Sequence, residues 1–398
     1  MSPTVRRRPV ALITHSYYDE DPRVRRQAEA LVAADRSVDV YALRRPDDDA
    51  EAVVGGVRVR RLDVQRHQGA GLATYLREYL AFFVRVALAL VRAQPRRHYA
   101  LVQVATLPDW LVFAGLPLRL AGVPLLLDLH ESMPAFFASR FPAAARGPIR
   151  WLLGLAERAS AAAASHCLTV NDALRERLIA TGVDAAKVDV VPNAPALDLF
   201  DPRRQPARRF MADRTLRLVY AGAVTPTYEL VVVLDAIAEL SARRPALAAH
   251  LDIYGRGDSR DVLAGQVDRL DLAGRVTFHG RVPIEAVPAA IAAADIGLAP
   301  TRRDAFTDVS LSTKIFEYGA MNRPVVASRL PLVERAIPEG VVWTYEPGDA
   351  ADLARVILAV VDDAAERRRR VGAMRALVAE RSWDVESAHY LAIVDRLA

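Results

Sequence analysis

Short apolar runs rich in β-branched residues alternate along the chain with longer stretches whose apolar residues recur at helical spacing. The stretches 21–34 and 148–164 carry the helical pattern clearly. Strands that alternate with helices of this length are typical of parallel α/β sheets. The predicted strands span 10–14, 38–42, 57–62, 101–104, 124–128, 167–170 and 188–191 in the first half, and 216–221, 250–254, 276–279, 296–299, 324–327 and 341–344 in the second.

The alternation of strands and helices runs twice, and a polar Pro/Arg segment at 202–205 separates the two series. We therefore predict an α/β protein of two Rossmann-like, parallel-sheet domains that face an interdomain cleft. The N-terminal domain is predicted to span 1–205 and the C-terminal domain 206–381. A last helix is expected in 382–398, where Ser382 is a good N-cap and apolar residues recur at helical spacing.

The composition is that of a globular protein with full-sized cores. Of the 398 residues 52% are hydrophobic and 25% are charged, which rules out a disordered chain. The single cysteine, Cys167, rules out a disulfide scaffold and a zinc site with several thiolates, and its apolar surroundings favour a buried structural thiol. The apolar run 80–91 is too short for a membrane span and is interrupted by Arg85. We expect a cytoplasmic protein.

The net charge of +5 is unevenly distributed, because the basic excess lies in the first 205 residues. This distribution fits an anionic partner such as a membrane surface, although an Arg-rich solvated surface explains it as well. No basic strip interleaved with aromatic residues is present, so we expect no nucleic-acid partner. The apolar stretch 75–91 is interpreted either as a core helix or as a site of loose peripheral contact at the inner face of a membrane.

Three polar segments of the first half directly follow predicted strands, where a parallel sheet binds its ligands. The first contains Ser16, Tyr17 and Arg23; within it Asp21-Pro22 has the form of a helix start, and an arginine in the first helical turn calls for an anionic partner. The second presents His130 and Glu131, with a purely structural histidine as the alternative. In the third, Asn171 either caps the next helix or faces an anion.

The second half has two further candidates. Gly255-Arg256-Gly257 follows a strand and would let a nucleotide approach the backbone, although it lacks the third glycine of a dinucleotide motif. The segment 312–320 places Lys314 and Glu317 on one face at a helix start, either as a surface ion pair or as ligands for a phosphate and a sugar hydroxyl pair. All other cationic residues except Lys187 are arginine, so Lys314 either marks a need for a compact ammonium or was retained by chance.

Together these segments resemble the GT-B glycosyltransferases, in particular the GT4 family of retaining, sugar-nucleotide-dependent enzymes. The resemblance runs through the whole chain in family order and includes the terminal helix. The segments that carry it are Asp21-Pro22-Arg23-Val24, Asp128-Leu129-His130-Glu131-Ser132-Met133-Pro134, Val191-Pro192-Asn193, Tyr220-Ala221-Gly222, Gly255-Arg256-Gly257, Leu311-Ser312-Thr313-Lys314-Ile315-Phe316-Glu317-Tyr318 and Pro324-Val325-Val326-Ala327-Ser328.

The resemblance implies that the N-terminal domain binds a hydroxyl acceptor and the C-terminal domain a sugar nucleotide, with residues 382–398 packed back on the N-terminal domain. Lys314 would lie by the diphosphate, Glu317 would hold the ribose, and His130 would contact the donor sugar. No cofactor and no tightly bound metal are expected. The other residues assigned to the donor are Gly222, Gly255, Arg256, Arg281, Asn171, Ser312 and Thr313. Those assigned to the acceptor side are Ser16, Tyr17, Arg23 and Glu131.

This sequence departs from the family pattern in three places. Val309 stands where the family usually has the first of two glutamates. The stretch 222–230 lacks the usual Arg and Lys and has Ala223 and Tyr228 instead, and Glu229 stands where a glycine is usual. The diphosphate would then rely on Lys314, Arg256, Arg281 or Arg302. Two other functions stay open: a non-catalytic GT-B partner that activates another transferase, and a sugar-nucleotide epimerase or hydrolase on the same fold.

Overall fold

The computed structural model describes residues 7–65, 72–141 and 147–398. The chain forms two compact α/β units, of which the first contains Met1–Asn193 and Glu386–Ala398 and the second Ala194–Val385. The first unit therefore ends before the Pro/Arg segment at 202–205. The reason is packing: Leu197, Leu199 and Phe200 belong to the apolar core of the second unit.

The first unit is built on an eight-stranded sheet with the order β3-β4-β2-β1-β5-β6-β7-β8. All neighbours pair in parallel except β3 and β4, which form an antiparallel hairpin closed by Gly55 and Gly56, both with positive φ. The strands are β1 Arg7–Ile13, β2 Arg36–Leu43, β3 Glu51–Val54, β4 Val57–Leu62, β5 Leu101–Ala105, β6 Leu125–Leu129, β7 His166–Thr169 and β8 Val188–Val190.

Helices cover this sheet and enclose its apolar core. The long helix α2 buries one face, with Phe82, Val86 and Leu90 in the core, and leaves the opposite face exposed. The core interpretation of the stretch 75–91 is thus confirmed for the buried face, and the membrane interpretation stays a prediction. The helices of the first half are α1 Pro22–Ala33, α2 Leu72–Arg97, α3 Leu116–Leu120, α4 Met133–Arg140, α5 Pro148–Ala163 and α6 Asp172–Ala180.

The second unit has a parallel sheet with the order β11-β10-β9-β12-β13-β14. Chain order reverses between β9 and β12, so the carboxyl ends of these strands form the topological switch point at which Rossmann-type sheets bind ligands. The strands are β9 Thr215–Ala221, β10 Ala248–Tyr254, β11 Val276–Gly280, β12 Ile296–Ala299, β13 Val325–Ser328 and β14 Trp343–Tyr345; the helices are α7 Leu230–Arg243, α8 Arg260–Arg269, α9 Val287–Ala292, α10 Thr313–Ala320, α11 Pro331–Ala336, α12 Ala350–Asp362 and α13 Ala364–Glu380.

The last helix, α14 (Trp383–Leu397), begins in the second unit and continues in the first. Its Asp395 accepts hydrogen bonds from Arg7 and Arg36, and Tyr390, Ile393 and Val394 are buried. The residues from Glu386 onward are thus an integral part of the first unit.

Every strand predicted from the sequence is present, with ends that shift by a few residues, and the α/β class is confirmed. The prediction missed only the hairpin strand β3. Across residues 7–65, 72–141 and 147–398, the helices lack the combination of length and apolar character that crossing a bilayer requires.

Candidate functional site

In the first unit the predicted site residues lie where β1 and β6 end. Asp21 caps α1, since its carboxylate accepts the backbone N–H of Val24 at 3.2 Å and the hydroxyl of Thr14 at 2.9 Å. Ser16 and Tyr17 lie in the loop before this cap, and the guanidinium of Arg45 packs on the ring of Tyr17. The capping interpretation of Asp21 is therefore confirmed.

Asp128, near the end of β6, is the centre of a buried polar cluster. Arg23 donates to both of its carboxylate oxygens, at 2.6 and 3.1 Å, and Gln27 donates at 2.8 Å. Nε2 of His130 lies 3.2 Å from the same carboxylate. Burial alone would raise the pKa of Asp128, but Arg23 and His130 together hold it below its usual range.

Arg23 was expected to face the acceptor, and the structure gives it a different setting. Its side chain is buried, and its remaining donors reach the backbone oxygen of Val191 at 3.0 Å and the side-chain oxygen of Asn193 at 2.8 Å. A positive charge near a helix N-terminus needs an anionic partner, and for Arg23 this partner is Asp128. The guanidinium is thus held by four hydrogen bonds inside the fold, and an acceptor-side role for Arg23 stays a prediction.

His130 and Glu131 follow β6 and are partly exposed. The backbone N–H of His130 donates to the hydroxyl of Thr106 at 3.0 Å, which fixes the start of this turn. Its ring is held through Nε2 by Asp128, which leaves Nδ1 without a hydrogen-bond partner among the described residues. Asn171 lies at the start of α6 and caps it, because its side-chain oxygen accepts the N–H of Leu174 at 2.8 Å.

In the second unit the predicted glycines bring two loops together. A Cβ on Gly255 would lie 1.7 Å from the backbone oxygen of Gly222, and one on Gly257 would lie 2.1 Å from that of Val224. Gly255 also has φ of +145°, which side chains rarely adopt. These glycines are required for the approach of the loops after β9 and β10. Arg256 and Arg281, at the carboxyl ends of β10 and β11, are exposed.

Lys314 lies in the first turn of α10 and is buried, with 8% of its surface exposed. Its ammonium packs 3.9 Å from the ring centre of Tyr228 and 5.4 Å from that of Tyr220. A Cβ on Gly222 would lie 2.1 Å from its Cε, so this glycine makes room for the lysine. In the described part of the chain no carboxylate pairs with Lys314, which leaves a buried positive charge without an anion.

Ser312 and Thr313 begin the same helix. The hydroxyl of Ser312 is buried and has no hydrogen-bond partner within the described residues, although serine at this position normally caps a helix. Beside it lies a small cavity of about 30 Å³, lined among others by Tyr228, Thr301 and Ser310. Free backbone N–H groups of the helix start, an unpaired hydroxyl and an ammonium thus lie close together, an arrangement that suits an anionic ligand.

Glu317, one turn after Lys314, is partly exposed on α10. The helix is anchored to the sheet by Tyr318, whose hydroxyl accepts the N–H of Ala221 at 3.0 Å and whose ring packs on Gly297. The anchor places the start of α10 at the switch point of the sheet. Among residues 7–65, 72–141 and 147–398, no three His, Cys, Asp or Glu side chains are arranged to hold a metal ion.

Two groups of functional residues were missed by sequence reasoning. Tyr220 and Tyr228 surround Lys314, and only the departure of Tyr228 from the family pattern marked it. Gln27 and Gln103 complete the surroundings of Asp128. In the sequence each of them is a polar residue within an apolar strand or helix face. Such a residue requires a buried hydrogen-bond partner, but the sequence does not show which residue the partner is.

Two family models match the chain, one for each series of strands. The "Glycosyl transferase 4-like domain" matches residues 21–194, and "Glycosyl transferases group 1" matches residues 215–363. The chain is 29% identical over 242 residues to the D-inositol 3-phosphate glycosyltransferase of Geodermatophilus obscurus, which covers 57% of this chain and 52% of that protein. It is 32% identical over 179 residues to the phosphatidyl-myo-inositol mannosyltransferase of Mycobacterium tuberculosis, which covers 44% and 45%.

The matched segments therefore span about half the length of these two relatives. Among solved structures, sucrose-phosphate synthase from Thermosynechococcus elongatus is similar with a TM-score of 0.79 and 21% identity, over 98% of this chain and 99% of that one. At this identity the likeness concerns the fold. Because the two family models follow one another along most of the sequence, on the two sheets described above, the chain belongs to the GT-B glycosyltransferases with a 4-like first domain and a group 1 second domain.

Proposed function

We propose that the protein transfers a sugar, with retention of anomeric configuration, from a nucleoside diphosphate sugar to a hydroxyl acceptor. The observation that carries the proposal is Lys314: a buried ammonium without an anionic partner in the described residues, at the start of a helix on the switch point of a Rossmann-type sheet. A diphosphate is the anion that this arrangement suits best, since it takes a compact cation and backbone N–H groups together.

In this reaction the protein acts mainly by electrostatic stabilisation of the departing diphosphate. Lys314 meets the developing negative charge, Glu317 holds the ribose hydroxyls, and the imidazole of His130 contacts the donor sugar. The acceptor hydroxyl attacks from the side of the leaving group, whose phosphate oxygen takes its proton. Lys314 and the start of α10 supply the positive charge, so we propose that no tightly bound metal is needed.

The first test is nucleotide binding. Thermal shift and calorimetry with UDP, GDP, ADP, CDP and dTDP, with and without magnesium, should give a selective response to one base. Loss of one charge-assisted contact costs about 1.5–3 kcal/mol, so Lys314→Met should weaken that nucleotide roughly 10- to 100-fold. The matched control is Lys187→Met, because Lys187 is the other lysine of the chain and is exposed.

Two results would contradict the donor site. Equal affinity in wild type and Lys314→Met would remove the diphosphate from Lys314, and a flat nucleotide panel would favour a non-catalytic partner of another transferase. Turnover with an acceptor excludes that alternative. Release of free sugar or of an isomerised donor without acceptor would point to a hydrolase or an epimerase.

We propose further that the acceptor is an inositol-bearing molecule presented at an anionic membrane surface. The names of the two relatives support the inositol class. Helix α2 supports the membrane, because it carries a stripe of apolar side chains that are 45–59% exposed: Leu76, Leu80, Val84, Leu88 and Val91. Exposed Arg77, Arg85 and Arg92 run beside the stripe. An apolar face edged by arginine suits the boundary between acyl chains and anionic headgroups.

Vesicle co-sedimentation tests this surface. The wild type should bind vesicles that contain anionic phospholipid more strongly than neutral ones, and the double variant Leu80→Ser with Leu88→Ser should lose the binding. The control is Val262→Ser, an equally exposed apolar residue on α8 of the second unit. Soluble D-inositol 3-phosphate and phosphatidylinositol vesicles, offered as acceptors, distinguish a free from a lipid-linked substrate. Equal binding of the double variant would refute the membrane contact.

A further inference from the structure

A continuous chain of hydrogen bonds runs through the first unit from the C-terminal helix to His130. The hydroxyl of Tyr390 donates to the side-chain oxygen of Gln103 at 2.7 Å. The amide nitrogen of Gln103 donates to the oxygen of Gln27 at 2.7 Å, and the nitrogen of Gln27 donates to Asp128 at 2.8 Å. Arg23 holds both oxygens of the same carboxylate. We call the five residues the Asp128 network: Arg23, Gln27, Gln103, Asp128 and Tyr390.

The hydrogen bonds from Tyr390 through Gln103 and Gln27 all run towards the carboxylate, and this direction fixes both amides. If Gln27 were turned over, its oxygen would face Asp128 and its nitrogen would face the nitrogen of Gln103. Chains of aligned donors of this kind strengthen one another in a low-dielectric interior. All five members are buried, so water does not replace a lost partner easily.

The carboxylate of Asp128 makes one contact outside the network, and that contact is His130. Nε2 of the imidazole faces Asp128, whereas Nδ1 has no hydrogen-bond partner in the part of the chain that the structure describes. With the carboxylate unable to rotate, the ring is held with the N–H of Nε2 on Asp128 and with Nδ1 turned away from it. A mobile carboxylate would let the ring change both its angle and its tautomer.

We propose that the Asp128 network is a positioning device for His130, and that the C-terminal helix takes part in it through Tyr390. The proposal rests on the function proposed above, in which His130 contacts the donor sugar. The network residues act through the orientation of one imidazole. Tyr390, more than two hundred residues distant in sequence, thereby becomes part of the active machinery.

The test uses Gln27→Met, which keeps volume and removes the amide donor next to Asp128, and Tyr390→Phe, which removes only the far hydroxyl. We expect kcat to fall about 10-fold in Gln27→Met, as small misplacements of a reacting group do, and less in Tyr390→Phe, with little change in KM for the donor. Tyr99→Phe is the matched control, since Tyr99 is also buried in the first unit and donates its hydroxyl to a carboxylate, Asp39. Its kcat should be that of the wild type.

A double-mutant cycle separates positioning from general stability. In a His130→Ala background Gln27→Met should have no further effect on kcat, because the group that it positions is absent. An equal loss of kcat in both backgrounds would overturn the proposal while leaving the transferase function intact.

A second experiment does not require catalytic activity, so it tests the proposal even if no sugar donor is found. The ring ¹⁵N resonances of His130, assigned by their absence in His130→Ala, report which nitrogen carries the proton. We expect one tautomer in the wild type and a mixture in Gln27→Met. Coincident resonances in the two proteins would refute the positioning role, whatever the activity.

Discussion

Asp109 offers a sharp test of how the first unit tolerates a buried acid. Its carboxyl is fully buried just after β5, and neither oxygen has a hydrogen-bond partner within the described residues. Burial raises its pKa well above the usual range; the charge of Glu157 adds to this, Arg177 opposes it, and Glu131 raises it further. The folded protein therefore holds a proton on Asp109 up to a higher pH than the unfolded chain does. We predict that Asp109→Asn, which needs no proton, is more stable than the wild type at neutral pH.

The magnitude follows from proton linkage. In the unfolded chain an aspartate titrates near pH ~4, so above this value unfolding releases the proton that the folded state holds. A raised folded pKa gives stability that is fully present below pH ~4 and is lost as the pH rises towards the folded pKa. The loss is about 1.4 kcal/mol for each pH unit. The advantage of Asp109→Asn over wild type should thus grow between pH 5 and pH 6.5, by at most about 2 kcal/mol.

The assay is urea unfolding read by thiol labelling, because Cys167 lies in β7 of the same unit and is buried. Unfolding free energies of the wild type and Asp109→Asn are compared at each pH. The control is Asp35→Asn, an exposed carboxyl of the same unit, whose difference from wild type should stay constant. If the difference for Asp109→Asn is equally constant with pH, the folded state does not hold the proton and the reasoning is refuted.

Three further predictions concern single groups. Burial raises the pKa of the Cys167 thiol to about 12, so alkylation at pH 8 should require denaturant, and fast labelling of native protein would contradict its burial. Gly255→Ala should lower the free energy of unfolding by more than about 2 kcal/mol, because the new methyl group meets a backbone oxygen. The control Gly274→Ala has open space around it and should lower it by only about 1–2 kcal/mol, from left-handed backbone strain. Equal losses in the two variants would refute the close approach of the loops. Arg23→Met should lower the free energy of unfolding by about 3–5 kcal/mol at pH 7, where it leaves the charge of Asp128 without its arginine partner. The loss should be clearly smaller at pH 3, where the carboxyl of Asp128 takes a proton in the variant. Unfolding curves that shift equally at both pH values would contradict the ion pair.

The centres of the sheets were predictable from the sequence because strands such as β1, β5 and β12 are largely buried and appear as short apolar runs. Strand β3 was missed because Glu51–Val54 is a four-residue edge strand in which every position is exposed or half-exposed. The sequence nevertheless contains a local indication of this strand. Two glycines, Gly55 and Gly56, separate Val54 from Val57, and a two-residue glycine turn is a strong hairpin signature.

Lys314 shows how much of the candidate site could be predicted from the composition of the chain. In a chain that otherwise uses arginine, the two lysines had equal claim to a special role, and the sequence favoured Lys314 by its place at a predicted helix start. The structure separates them by burial, since Lys187 is exposed and Lys314 lies against two tyrosine rings. The rings were not predictable, because Tyr220 and Tyr228 meet α10 only after the sheet has folded.

The Asp128 network also shows that the sequence reveals which residues need a partner but not which residues provide it. Gln103 and Asp128 each interrupt an apolar strand, in Leu101–Ala105 and Leu125–Leu129, and a buried polar group requires a partner. That requirement is readable from the chain, but the partner is not: β5 and β6 pair with Gln103 opposite Leu126, so the two polar residues reach each other only diagonally. Gln27, from a helix, and Tyr390, from the far end of the chain, complete the hydrogen bonds. Local sequence thus reveals a demand for polar partners, and only the tertiary structure shows which residues meet it and that His130 benefits.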